Sequence, residues 1–223
     1  MLSGRIPRAA LGVFFIAILL IAFGELRERY VYADLLRIAR QADARGGISP
    51  ETIRDQVVYA RRIPQDRICK SDFLKAGAVI LLQDLDLQNP DENYEDWASA
   101  ISSVEIFLIH SLRCSPSDGN MWLRLAMVRQ QIAEQPMEVA RLLKLSQHYA
   151  PAEAGILKAR MRFWNKLSPA SLVAARATLE IDMRIICEDK TKLTYHSLPQ
   201  PSKAMRSALS SNMAVQNGTW CRK

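Results

Sequence analysis

The chain is short of the residues that most enzymes are built around. It has three histidines, His110, His148 and His196, far apart and without patterned partners, and it lacks G-x-S-x-G, Walker, G-x-G-x-x-G and H-E-x-x-H spellings. Those absences remove the signatures of nucleophile-elbow, nucleotide-loop and zinc-hydrolase chemistry, so no enzyme activity and no cofactor are expected. The four cysteines form no C-x-x-C pair and no histidine sits at zinc spacing, and the acidic loop from Asp84 to Asp96 lacks the calcium-loop spacing and its glycine. No metal site is expected. Gly and Pro are few and gather between apolar runs, while period-two alternation of aromatic and β-branched residues is scarce. That pattern excludes an extended sheet and leaves an all-α chain. The formal charge of +7 is uneven, for residues 31–187 carry twenty basic and nineteen acidic side chains. The excess lies at the ends, and the body has no basic stripe with interleaved aromatics, so nucleic acid is excluded as a partner and a small-molecule ligand is not expected.

What is present begins with "RAALGVFFIAILLIAFGELRER". An uncharged run from Ala9 to Gly24 follows Arg5 and Arg8. Ala9 to Phe23 makes about 22 Å of helix, against a bilayer core of about 30 Å. It reaches across only if Arg8 snorkels and Leu26 contributes. Two readings stay open: an uncleaved signal-anchor helix, or a signal peptide cut after "AFG". Basic residues on both sides of the run leave the orientation unsettled. The chain thus divides into an N-terminal anchor or signal segment over residues 1–29, a helical domain over 30–187 and a basic tail over 188–223.

Within the body, punctuation marks a series of helical hairpins. The first helix is expected over 30–45, stopped by Gly46-Gly47; the second starts with Ser49 as cap and Pro50 as first helical residue, and Pro64 closes it. Further helices are expected over 70–83, 94–113, 119–134, 136–149, 151–166 and 168–187, with a short one near 201–213. In antiparallel helices over 70–83 and 94–113, Cys69 before the first and Cys114 after the second fall at the same end. A disulfide there would close a loop of about 45 residues and contribute roughly 4 kcal/mol in the chain-entropy model. Cys187 and Cys221 form a second possible pair, and four free thiols in a reducing compartment is the alternative. The pairing points to an oxidising side of a membrane.

The stretch "SLRCSPSDGNMWLRLA", Ser111 to Ala126, carries a family resemblance. A small residue and Leu end one helix, Pro116 stops it, and Trp-x-x-Leu-Ala opens the next. Shifting the sequence by 34 places Trp122 on Ile156, Leu123 on Leu157 and Met127 on Met161. The chain resembles tetratricopeptide-repeat proteins well over 98–187 and loosely over 30–97, departing from the pattern at Arg129 and Arg160, where the family buries apolar residues. The resemblance implies a short array of antiparallel helical hairpins with Trp122 buried between layers, and Pro116 and Pro151 at the junctions. Lys75, Arg124 and Lys158 recur two residues after Phe73, Trp122 and Ile156. If family geometry holds, they form a basic ladder in a concave groove flanked by Met127, Met161 and Trp164, suited to an acidic or C-terminal peptide. The function expected from this layout is a non-enzymatic scaffold or adaptor of the bacterial cell envelope. It would sit in the inner membrane through residues 9–24, with its repeat domain in the periplasm, and bind proteins of an envelope complex in assembly or surface-polysaccharide export. A translocase-associated periplasmic chaperone is the alternative, and an enzyme with an unpatterned helical site is a third.

Overall fold

The computed structural model describes residues 8–45, 47–188 and 200–209, and among them there is helix and no strand. Eleven helices follow in chain order: α1 Arg8–Val31, α2 Ala33–Arg45, α3 Pro50–Gln65, α4 Ser71–Asp86, α5 Tyr94–Cys114, α6 Gly119–Ile132, α7 Pro136–Tyr149, α8 Ala154–Trp164, α9 Pro169–Ala174, α10 Arg176–Glu188 and α11 Lys203–Ala208. Short polar side chains start many of them by accepting the otherwise unpaired backbone N–H groups of a first turn. Ser49 Oγ accepts from Thr52 N at 3.3 Å, Asn93 Oδ1 from Asp96 N at 3.2 Å, and Asp118 Oδ1 from the backbone N–H groups of Asn120 and Met121 at 3.0 and 3.1 Å. Ser168 and Ser202 cap α9 and α11 in the same way.

From α2 to α7 each helix packs against its neighbours in the chain, α2 on α3, α3 on α4, α4 on α5, α5 on α6 and α6 on α7, whereas α8 packs on α6 and α10. Helices two apart also meet, α2 with α4, α3 with α5, α6 with α8 and α7 with α9. One continuous core runs through the stack, from Tyr32 and Leu35 through Phe73, Ile80, Phe107 and Leu123 to Leu142, Trp164, Leu179 and Met205. The tail returns to it. Met205, Ala208 and Leu209 are buried, α11 packs on α9, and Asn165 holds the tail by donating to Gln200 O at 2.9 Å and accepting from Ser202 N at 2.8 Å.

Two glycines mark where helices come closest. A Cβ on Gly77 would lie 2.5 Å from the Phe107 ring. A Cβ on Gly119 would lie 2.6 Å from Ala150 Cβ and 2.9 Å from both Ala150 N and Ser146 O. The glycine in the Ser111–Ala126 stretch is therefore what lets α6 begin directly against the end of α7.

Several sequence expectations shift. The first body helix, expected over 30–45, is interrupted by a turn at Tyr32 that separates α1 from α2. Its buried phenol draws inward to donate to Asp66 Oδ2 at 3.2 Å. The helix expected from Pro151 starts at Ala154 instead. Residues 151–153 turn away because the Ala150 and Pro151 carbonyls point at Arg160. The helix expected over 168–187 divides at Ala175 into α9 and α10. At the N-terminus the described side chains of Leu11 to Phe23 are exposed on all sides of α1. Among the described residues no helix is long and apolar enough to cross a membrane. The transmembrane helix expected from the sequence thus lacks structural support, since charge enters α1 at Glu25, before a bilayer's depth of apolar residues has accumulated.

Candidate functional site

The loop between α3 and α4, residues 66–70, is tied by side chains to α1, to Tyr32 and to α5. Cys69 is joined to Cys114 at the end of α5 by a disulfide, with Cα atoms 5.3 Å apart, the arrangement expected of an antiparallel α4–α5 pair. Cys187 is also disulfide-bonded; Cys221, the partner proposed for it from the sequence, lies outside the described residues. Beside the first bridge, His110 Nε2 is 2.8 Å from Ile68 O and 3.6 Å from Cys114 Sγ. A carbonyl oxygen can only accept, so Nε2 carries the proton and donates to it. The ligand atoms of Cys69, His110 and Cys114 lie within 4.8 Å of one another. With the sulfurs bonded together they offer no thiolate to a cation, so the trio is not a metal centre in this state.

The same loop holds the N-terminal helix. Lys70 Nζ donates to Glu25 Oε2 at 2.7 Å and to Glu28 Oε2 at 2.8 Å, and Arg29 pairs with Asp72 at 3.5 Å. The hydrogen bond to Glu25, then that to Glu28, raises the Lys70 pKa, so the ammonium stays charged. Burial, seconded by the bond to Asp66, pushes the Tyr32 phenol up to about 12. α1, α2 and the disulfide therefore meet at one corner of the molecule.

The basic ladder is distributed differently from the sequence expectation. Lys75 is exposed on α4. Arg124 on α6 and Lys158 on α8 are half-buried, and Arg124 Nε donates to Asn120 Oδ1 at 3.4 Å. Met127 is half-buried against the core, but Met161 and Trp164 are wholly inside it. Those two residues cannot flank a groove. Trp122, expected between layers, is half-buried and donates from Nε1 to Pro116 O at 2.8 Å. The reason is that α6 buries two nearly opposite faces, Met121, Leu125 and Val128 on one and Gly119, Leu123 and Ala126 on the other. At about 100° per residue Trp122 falls on the edge between them and latches the preceding turn. Pro116 and Pro151 are both exposed, and each contributes a carbonyl rather than packing, the Pro151 oxygen accepting from Arg160 Nη2 at 3.2 Å.

The departures from the repeat pattern prove to be polar keystones. Arg160 is completely buried. Its Nε and Nη2 donate to the two carboxylate oxygens of buried Asp182, both at 2.9 Å, and Nη1 donates to Ala150 O at 2.9 Å with Ser146 O and Oγ at 3.4 Å. Trp164 Nε1 donates to Asp182 Oδ2 at 3.0 Å. Burial pushes the Asp182 carboxyl up, and the Arg160 guanidinium pulls against it. Arg129 reaches Glu105 of α5 and, at 3.6 Å, Glu138 of α7. Sequence reading singled out both arginines as misfits; Asp182 carried no signal beyond standing within an apolar helix.

An open hollow of about 450 Å3 lies between α3, α4 and α5, lined by Arg54, Arg61, Asp84, Gln88, Asp96 and Ser99 among others. Burial raises the Asp84 pKa, while Arg61 opposes the shift. The hollow contains no nucleophile paired with a base, and the described histidines lie elsewhere. No protein-family model, curated protein or solved structure matches the chain.

Proposed function

We propose that the chain is a non-enzymatic scaffold of the bacterial cell envelope, attached to the inner membrane through α1, with its helical body on the periplasmic side and available to partner proteins. The observation that carries this reading is α1 itself. A water-exposed helix normally shows one apolar stripe facing a core, whereas here the residues from Leu11 to Phe23 are apolar all round, Gly12 apart, and exposed. Lipid covers every side of a helix, and a single docking partner does not. Because the apolar run is short, the attachment we propose draws on Leu26 extending it and on the bilayer thinning to meet it. The Cys69–Cys114 disulfide favours an oxidising compartment.

We further read the body as a short tetratricopeptide-like array. Packing between helices two apart in the chain supports this, since stacked hairpins require it. Such a stack presents long helical faces and suits protein partners better than a buried reaction centre.

The test has two arms. An alkaline phosphatase fusion after Lys223 should be active in cells, and a cytosolic reporter at the same position silent; the opposite pair of results refutes the periplasmic placement. Crosslinking followed by affinity capture from solubilised membranes should recover envelope-assembly or export proteins. Recovery of translocase subunits instead would favour the chaperone reading, and a chain found wholly in the soluble fraction would remove the attachment.

A further inference from the structure

We propose that the Cys69–Cys114 disulfide is a thiol–disulfide exchange site, in which an external dithiol attacks Cys69 and Cys114 leaves as a thiolate stabilised by His110. This inference stands apart from the scaffold reading, because it rests only on the corner formed by the α3–α4 loop and the end of α5.

Three observations carry it. First, the two sulfurs are unequal. Cys69 is exposed on the loop, and Cys114 is half-buried at the end of α5. An incoming thiolate has to approach along the S–S axis, so the exposed sulfur is the one it can strike and the sheltered one is the leaving group. Second, the leaving sulfur has a proton donor in place. His110 and Cys114 stand one helical turn apart on α5, with Nε2 3.6 Å from Sγ. That nitrogen's single hydrogen points chiefly at Ile68 O, 2.8 Å away, and Sγ stands as its second, longer acceptor. A neutral disulfide sulfur accepts weakly from it, and a thiolate accepts strongly. The contact therefore strengthens as the S–S bond breaks and lowers the barrier to leaving. Third, a cation stands beside the attacked sulfur: Arg67 is exposed two residues before Cys69, in the left-handed region at φ 53, whereas the Lys70 charge is taken up by Glu25 and Glu28. Positive charge nearby favours an anionic nucleophile.

The reaction balances as a two-electron exchange. One thiolate of the dithiol bonds to Cys69 Sγ, the Cys69–Cys114 bond breaks, and its electron pair goes to Cys114 Sγ, held by the His110 N–H. The second thiolate of the reductant then attacks its own partner sulfur in the mixed disulfide and expels Cys69. The dithiol ends as a disulfide, both cysteines end as thiols, and the two protons come from the reductant's thiols. Running in reverse, the site oxidises a dithiol. The co-substrate class is a vicinal dithiol, as carried by a thiol oxidoreductase.

The experiment uses the full chain in detergent with glutathione as the probe. A brief reaction is quenched and alkylated, and the peptides are mapped by mass. The expected result is glutathione on Cys69 and the alkyl label on Cys114. Glutathione on Cys114, an even split, or no reaction before the chain unfolds would each overturn the proposal, and this arm requires no variant. In a second arm, His110→Ala should slow reduction by dithiothreitol about tenfold, the order expected for losing a hydrogen bond to a charged acceptor. The same change should move the pH profile of Cys114 alkylation in the reduced protein upward. His110→Gln, which keeps an N–H, should recover most of the rate. An unchanged rate and pH profile in His110→Ala would also overturn the proposal, since a histidine that only packs would leave both in place.

Discussion

Replacing Asp182 with Leu should cost more stability than any other single change to a polar side chain in this protein. The five N–H donors of Arg160 are all directed at acceptors: two at Asp182, and the others at the Pro151 carbonyl, the Ala150 carbonyl and Ser146. Trp164 adds one more donor to the carboxylate. Both members of the ion pair are 0 % exposed. Leucine in place of Asp182 therefore strands three buried N–H groups and leaves the guanidinium charge without its counter-ion. Removing one partner of a buried pair costs about 3–5 kcal/mol. For a chain of this size each kcal/mol moves the melting temperature by about 2–4 °C, so the midpoint should fall by about 6–20 °C. The paired change Arg160→Met with Asp182→Leu removes the charge along with its partner and should recover most of the loss, because apolar side chains of similar volume fill such sites without a desolvation cost. The measurement is thermal and urea denaturation followed by far-UV circular dichroism on the wild type, both single variants and the double variant. A single variant that loses less than about 1 kcal/mol, or a double variant worse than either single, would refute the assignment of Arg160 and Asp182 as a mutually dependent pair.

Gly119→Ala should destabilise by about 1–3 kcal/mol, because its Cβ would strike the Ala150 and Ser146 backbone, which cannot swing aside; a neutral result in urea titration would show that α6 and α7 meet elsewhere. Gly77→Ala should cost less, since the Phe107 ring it meets can rotate. Glu134 accepts from Ser168 N at 2.8 Å. Burial would raise its pKa, but the bonds from Ser168 and Ser171 prevail and lower it. A depressed carboxylate stabilises the fold above its unfolded pKa of about 4.3 and loses that contribution as pH falls through the folded value. Glu134→Gln should therefore be less stable than wild type at neutral pH and equal to it in acid; a gap that persists at low pH would refute this. Charge reversal at Lys75, Arg124 and Lys158 together should abolish partner capture and leave helical content unchanged; capture that survives would show these cations to be solvated surface only.

The parts of the fold legible in the sequence were those written in backbone chemistry. Ser49-Pro50, Asp118-Gly119, Gln135-Pro136 and Ser168-Pro169 each open a helix where a side-chain oxygen, a glycine or a proline belongs at a first turn. The Cys69–Cys114 bridge followed from the same bookkeeping of helix ends. Choices made by tertiary packing were not legible. A tryptophan reads as core by size alone, yet the two-sided burial of α6 sends Trp122 to an edge, while Trp164 goes inside because Asp182, eighteen residues later, accepts its N–H. Met161 and Trp164 were assigned to a groove by repeat spacing, and the buried Arg160 draws that face of α8 inward instead. His110 showed no pattern, because its partner at Ile68 lies 42 residues away and offers only a carbonyl.

The neighbour-on-neighbour packing from α2 to α7 also bears on the order in which the chain can assemble. Most contacts of α2 to α5 are made among those four helices, and the disulfide that ties them spans 45 residues. Loops of that size close quickly, and stacked helical units grow outward from whichever forms first. A chain made from its N-terminus can thus complete and oxidise its first four body helices while α6 is still being synthesised. The Arg160–Asp182 lock must wait for α10, so the second half docks onto a base that is already covalently closed. Variants of the first half should accordingly alter the folding rate, and variants of the second half chiefly the rate of unfolding.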